Sequence, residues 1–297
     1  MCVKFSFDLK TNSMKTKLII TIALSLCFKI MMSQSPLSID DYKVLGESQY
    51  VIVYEMKYMS DTAKPDKIYR DEIVLEISGE LSKSYSYKTY RYDSTYTVSN
   101  RKGAHNYPSP KLSAFPVDVI KRYKDKNMTI YQRTPDEGPI FMYEEDMNLF
   151  EWKLTSDMKE ILGMSCVKAT CNFRGRNWIS WFTMDIPLQD GPWKFNGLPG
   201  LILKVEDDKG EYVFDCVRIK NENRQIMLFD FFYQESSYEE VSSFMKDCHK
   251  DINAYIRRVN PKNSMSIAKR DEVTGKVTFH KVGPDEVVPR PYNPIEL

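Results

Sequence analysis

The sequence predicts a mainly β protein of the α+β class, an antiparallel sheet covered by one long helix, and three features carry that prediction. Short runs rich in β-branched and aromatic residues recur between clusters of Gly, Pro, Asn and Asp, the pattern of strands joined by turns. One such run, 178–183, is apolar on both faces: Trp178, Ser180 and Phe182 share one, and Ile179, Trp181 and Thr183 the other, so both faces need cover. A single amphipathic stretch, 236–259, is long enough to supply it.

In chain order, residues 50–59 form a strand ended by Ser60-Asp61, and 72–77 form the next, closed by Ser78-Gly79. Within 81–98, Tyr85, Tyr87, Tyr90, Tyr92 and Tyr96 interleave with Ser, Thr, Lys and Arg at a spacing that suits neither period; 84–92 is read as strand-like. Residues 101–115, with Gly103, Pro108 and Pro110, are a long connection and the place for any internal boundary. Runs 117–123, 128–132, 140–144 and 149–153 follow as short strands of a meander. Then 166–173 and 178–183 make a hairpin turning at Gly175, and 201–205 pairs with 212–219 across Asp207-Asp208-Lys209-Gly210. A strand over 226–233 precedes the helix, for which Ser236 with Glu239, or Ser237 with Glu240, offers a capping box. Val241, Phe244, Cys248, Ile252, Tyr255 and Val259 recur on one helical face, and Asn260-Pro261 ends it. From Pro284, four prolines mark an extended segment lying on the surface.

A chain of 297 residues, 42% hydrophobic and 28% charged, has an ordinary globular composition. Lys15 and Lys17 precede the apolar run 18–28, and Ser33 and Ser35 follow it, which is the order of a secretory signal. The run is too short to span a bilayer. The expectation is a signal peptide over 1–33, with translation starting at Met14, and one β-rich domain over 34–297 with no transmembrane span in the mature chain. Cys27 follows Leu26, which is too bulky for the position before a lipid-modified cysteine, so no lipid anchor is expected. Removing the leader takes five lysines and one aspartate from 42 basic and 41 acidic residues and leaves a formal charge of −3, no electrostatic case for nucleic acid. Cys166, Cys171, Cys216 and Cys248 remain; three pairings and a set of buried free thiols all stay open. Cys166 and Cys171, five apart in one strand, point to opposite faces, which argues against a bridge between those two.

The chain is organised around 191–202, G-P-W-K-F-N-G-L-P-G-L-I, where Gly191, Pro192, Gly197, Pro199 and Gly200 alternate with Trp193, Phe195, Leu198 and Leu201. Glycine permits positive φ and close backbone approach while proline fixes φ, so the combination encodes one stiff path. Structurally, it is a crossover packing Trp193, Phe195 and Leu198 on the sheet. The alternative, functional reading makes it the rim of an apolar groove lined by Trp178, Trp181 and Trp193, with Phe182 beside them.

Residues 197–202, together with 173–183, Ile186-Pro187 and the terminal 292–297 (YNPIEL), resemble the GLPGLI family of bacterial envelope proteins. The resemblance implies an exported protein, periplasmic or secreted, with a curved antiparallel sheet or half-barrel like those of lipoprotein carriers and a covering helix. It implies no reaction.

Catalytic chemistry finds little purchase elsewhere. His105, His249 and His280 are isolated, no C-x-x-C occurs, and 191–200 lacks the lysine-serine ending of a phosphate-binding loop. The acidic runs 144–146 and 206–208 read as solvated loop charges before they read as a glycosidase pair. No catalytic residue, metal or cofactor is therefore expected. The expected function is non-catalytic binding of an apolar ligand, or of a partner's extended segment, in a sheet groove. The competing expectation is an envelope interaction or assembly factor beside an outer-membrane receptor, recognised through the Tyr-rich segment or the proline tail, with a hydrolase third.

Overall fold

The computed structural model describes residues 36–104, 114–135, 138–261, 265–270 and 277–296. The expected leader, the start at Met14, His105 and residues 105–113 of the long connection lie outside them. The chain enters on β1 (Tyr42–Glu47) and continues through β2 (Tyr50–Met59), β3 (Ile68–Ile77) and β4 (Leu81–Ser86) into helix α1 (Tyr87–Arg101). Then come β5 (Val117–Arg122), β6 (Asn127–Arg133), β7 (Ile140–Asp146), β8 (Lys153–Ile161), β9 (Met164–Phe173) and β10 (Arg176–Thr183). After these follow β11 (Leu201–Asp207), β12 (Tyr212–Asn221), β13 (Gln225–Phe229), β14 (Tyr233–Glu235), α2 (Tyr238–Lys250), α3 (Ile252–Val259), β15 (Ser266–Arg270) and β16 (Val277–Lys281).

Twelve strands form one open sheet in the order β14-β7-β6-β5-β4-β3-β2-β12-β11-β10-β9-β8. Its neighbours are antiparallel except β14, which runs parallel to β7, so the sheet is mixed and does not close into a barrel. The strand β2 shows why it sits in the middle. Ile52, Tyr54 and Met56 enter the main core on the front face, while Val51 and Val53 join Val74 and Tyr85 on the reverse face. Alternation that is apolar both ways demands cover on both sides. The ribbon of β1 and β13 supplies it behind, where Phe229 stacks on Tyr90 and the Lys83 ammonium donates to the Met227 carbonyl at 2.8 Å. In front, the segment between β10 and β11 folds over the sheet.

Several sequence expectations are corrected. Residues 87–92 are helical, not strand-like: β4 ends at Ser86, whose hydroxyl caps α1 by accepting from the Thr89 N–H at 3.0 Å. The inward stripe of α1 is Thr89, Asp93 and Thr97, small and polar, so it carries no apolar period to read. Asp93 pairs with Arg133, and it and Thr97 accept from the Leu37 and Ile39 N–H groups at 2.9 Å each.

The one long helix over 236–259 is two. At Asp251 the backbone leaves the helical region, and its carboxylate caps α3 by accepting from the Asn253 and Ala254 N–H groups, at 3.1 Å each. The apolar stripe survives the break, since Val241, Cys248, Ile252 and Tyr255 are all buried, and the capping box is the Ser237–Glu240 one. Among the described residues the helical cover, added to that ribbon and segment, is thus divided among three helices. The strand over 226–233 ends at Phe229 and restarts at Tyr233, and the run at 149–153 becomes a strand only from Lys153. The outer face of β10 is covered by charge where a second layer was expected: the Lys159 ammonium lies 4.0 Å from the Trp181 ring centroid.

Candidate functional site

The segment between β10 and β11 is a lobe pinned to the sheet by a buried cation. Asp190 and Asn196 bridge across its neck, and the Ile202 N–H donates to the Asp190 carbonyl at 3.0 Å. From β5, the fully buried Lys121 ammonium donates to Asp190 Oδ1 (2.5 Å) and to the Gly191 and Phe195 carbonyls (2.8 Å each). The Tyr123 hydroxyl takes the other Asp190 oxygen at 2.7 Å, and Ser84 Oγ accepts from the Trp193 N–H at 2.9 Å. Burial presses the Lys121 pKa down, opposed by the charge and hydrogen bond of Asp190. The glycines follow from this path. A Cβ on Gly200 would sit 2.0 Å from the Thr183 carbonyl oxygen, and Gly197 holds φ +87°.

The candidate residues separate along this lobe. Trp178, Phe182, Phe195, Leu198 and Leu201 are buried in the main core, where Phe195 packs edge-on to Trp178 (4.7 Å) and Trp193 (5.0 Å). Gly191, Pro192 and Gly200 are buried turn backbone, and Gly197 and Pro199 face outward. Trp181 lies on the opposite face of β10. Trp193 is buried as well, yet it forms part of a cavity wall.

Sequence reading placed the tail on the surface, but the structure draws its end inward. Arg176 donates to Asp207 Oδ2 (2.6 Å), Glu211 Oε2 (2.8 Å), Asn293 Oδ1 (2.6 Å) and the Pro294 carbonyl (2.7 Å). Lys194 donates to both oxygens of Glu296 at 2.9 Å and pairs with Glu145 at 2.5 Å, while Arg174 bonds the same two carboxylates. The 174–176 turn, the lobe and the terminal Asn293 to Glu296 are therefore one ionic assembly, joined across more than a hundred residues of sequence. Burial works to raise the Glu211 pKa, but hydrogen bonds from Arg176 and Asn293 hold it below the usual value.

Between this assembly, α1 and α2 lies a cavity of about 990 Å³. Its floor is aromatic, formed by Tyr58, Phe115, Tyr143, Trp193, Tyr212 and Tyr238. Val241 and Met245 of α2 add aliphatic wall, and the tail closes one side with Tyr292 stacked on His249 at 4.3 Å. Burial, with Arg290 nearby, lowers the His249 pKa, against the hydrogen bond of its ring to the Met245 carbonyl. Apart from Trp193, this floor comes from residues that sequence reading did not single out. They come from loops, strands and helices far apart in the chain, and no local signal marks them.

Phe115 and the start of α1 are both held by one buried carboxylate. Asp71 Oδ2 accepts from the Phe115 N–H (2.6 Å) and the Ser86 hydroxyl (2.7 Å). Burial pushes the Asp71 pKa from 3.8 to about 6 in spite of those bonds. Because the folded value lies above the unfolded one, its stabilising contribution is complete below about pH 4 and is lost as pH rises through about 6, roughly 3 kcal/mol in all. Asp71→Asn is expected to flatten that part of the stability curve; urea midpoints between pH 4 and 7 that keep the wild-type slope would show the slope has another source.

Among the described residues no group of three or more His, Cys, Asp or Glu could hold a metal ion, and no helix is long and apolar enough to cross a membrane, which says nothing of strands. Cys166, Cys171, Cys216 and Cys248 are buried free thiols; burial pushes the last three up to about 12, far from reactive thiolate.

Fold and site together define a β-sheet-rich protein with a large open mixed sheet and an aromatic cavity on its front face. Residues 174–204, from the ionic turn through β10 and the lobe into β11, match a family described as "Protein of unknown function (Porph_ging)". No curated protein matches the chain. Among solved structures, "Structure of PNGF-II in P21 space group" is similar at 16% identity and TM-score 0.45, covering 76% of this chain and 35% of that one. "Structure of PNGF-II in C2 space group" is similar at 15% and 0.44, covering 77% and 36%. The chain thus spans about a third of the length of those structures.

Proposed function

We propose that this is an exported, periplasmic, non-catalytic binding protein. Its sheet works as the half-barrel of a lipoprotein-carrier-like fold, and it takes an apolar ligand or partner segment into the cavity beside the lobe. The cavity carries this reading. Its volume is at the upper end of the range usual for small-molecule pockets, and its floor is aromatic, with aliphatic side chains added by α2. The lobe occupies the middle of the sheet's front face, so binding falls to the space that α1, α2 and the tail leave open. Trp193 links the two, since its ring is packed in the lobe and forms cavity wall.

Lipid extraction and mass spectrometry of the purified protein are expected to return a bound apolar molecule. The neutral probe N-phenyl-1-naphthylamine should be taken up saturably. Ser242→Trp, which places an indole in the cavity from a half-buried position on α2, should abolish uptake while the near-ultraviolet circular dichroism persists. An empty extract combined with no saturable uptake overturns the reading.

A further inference from the structure

The charges around the cavity are lopsided. Lys64, Lys67, Lys88, Arg91, Arg133 and Arg290 line it, against Asp61 and Glu296. Several of these are already engaged: Lys64 pairs with Asp61 at 3.3 Å, Arg133 with the buried Asp93, and Glu296 with Lys194 and Arg174. Arg290 differs. Its guanidinium meets no carboxylate among the described residues, although it is half-buried. Its own N–H donates to the His249 carbonyl at 2.7 Å, fixing it to the wall two residues before Tyr292. The neighbouring His249 ring, stacked on Tyr292, supplies no negative charge.

A purely apolar occupant would strip water from that guanidinium and give nothing in return, and a cationic one would be repelled. An anion answers both problems, and the planar fork of arginine matches carboxylate and phosphate oxygens. Resting on the cavity-binding reading above, we propose that the occupant is an anionic amphiphile. Its carboxylate or phosphate head pairs with Arg290, and its chain lies among Phe115, Trp193, Tyr238, Val241 and Met245. The lysines of the 60–67 loop and the arginine of α1 steer the head to the mouth.

Two probes with the same rings separate the charge from the cavity. 1-Anilinonaphthalene-8-sulfonate carries a sulfonate that N-phenyl-1-naphthylamine lacks. The wild-type protein is expected to bind the sulfonate at least about tenfold more tightly. Arg290→Gln should remove that advantage while leaving the neutral probe within about twofold, which also reports a folded cavity; Arg290→Lys should keep part of it. Equal binding of the two probes by the wild type, or a parallel loss of both in Arg290→Gln, overturns the anion assignment and leaves the cavity reading standing. Saturable uptake of neither probe overturns the cavity reading itself. Displacement of the sulfonate by decanoate assigns the head to a free fatty acid, and displacement by a lysophosphatidate alone assigns it to a lipid phosphate. Displacement by an acidic oligosaccharide and by neither amphiphile rejects the proposal.

Discussion

Lys121→Met is expected to lower the free energy of unfolding by about 3–5 kcal/mol, a large share of the 5–15 kcal/mol that typically holds a domain together. Methionine follows the lysine stem and ends about one atom short of the ammonium, so the change is mainly one of charge. It leaves the Asp190 carboxylate and the Gly191 and Phe195 carbonyls facing a thioether in a site closed to water. Breaking one side of a buried pair costs far more than the pair contributes, because the orphaned charge remains. Lys168→Met is the comparison. That lysine pairs with Asp157 at 2.8 Å on the surface, and its loss should change stability by less than about 1 kcal/mol. Urea denaturation of both variants decides the matter; equal shifts would mean that the lobe is held by its apolar side chains alone. Lys121→Met with Asp190→Asn should recover part of the loss, since the amide can still accept from the Tyr123 hydroxyl.

Nothing in the sequence marks Lys121 for this task. It lies in a strand whose partner, Asp190, is 69 residues away, and a lysine in an alternating run reads as the solvent side. The strands themselves were legible because a two-residue period and turn chemistry are local: β2 and the β9–β10 and β11–β12 hairpins fall close to where pattern alone puts them. What local pattern could not show was cover made of polar groups. The inner stripe of α1 is Thr-Asp-Thr, the outer face of Trp181 lies under lysine, and Asp251 breaks a helix whose apolar spacing continues across it. The twelve candidate residues lie in β10, the adjoining lobe and the first residue of β11, and only Trp193 among them lines the cavity. The cavity gathers its wall from the 58–69 region, α1, the residues before β5, α2 and the tail, and only topology brings those together. The stiff segment packs Trp193, Phe195 and Leu198 into the core, and of these only Trp193 also forms cavity wall.

Deleting residues 293–297 is expected to cost more than Lys121→Met. Two buried cations lose partners at once: Arg176 loses Asn293 Oδ1 and the Pro294 carbonyl, and Lys194 loses both oxygens of Glu296. Arg174 loses one of its two carboxylates as well. Arg176 keeps Asp207 and Glu211 and Lys194 keeps Glu145, so each loss alone is of the order of 1–3 kcal/mol, and even with incomplete additivity the sum is a large share of the stability of a domain. The truncated chain should therefore unfold at a much lower urea midpoint than the wild type. Glu296→Gln is the milder test, since Lys194 keeps Glu145 and Tyr143; it should unfold cooperatively at a lower urea midpoint. A pH series adds a readout that packing alone would not move. Glu211 has a depressed pKa, so its contribution is present above the ordinary carboxylate range and is lost as pH falls, and Asn293 is one of the groups that depress it. Asn293→Ala should shrink that acid-side loss while leaving Lys194 and Glu296 in place. A truncated chain that unfolds at the wild-type midpoint would make the tail an applied strap, free to leave the sheet and meet a partner; a large drop in the midpoint makes it the last piece of the core, since Arg176 and Lys194 each lose acceptors that only the tail supplies.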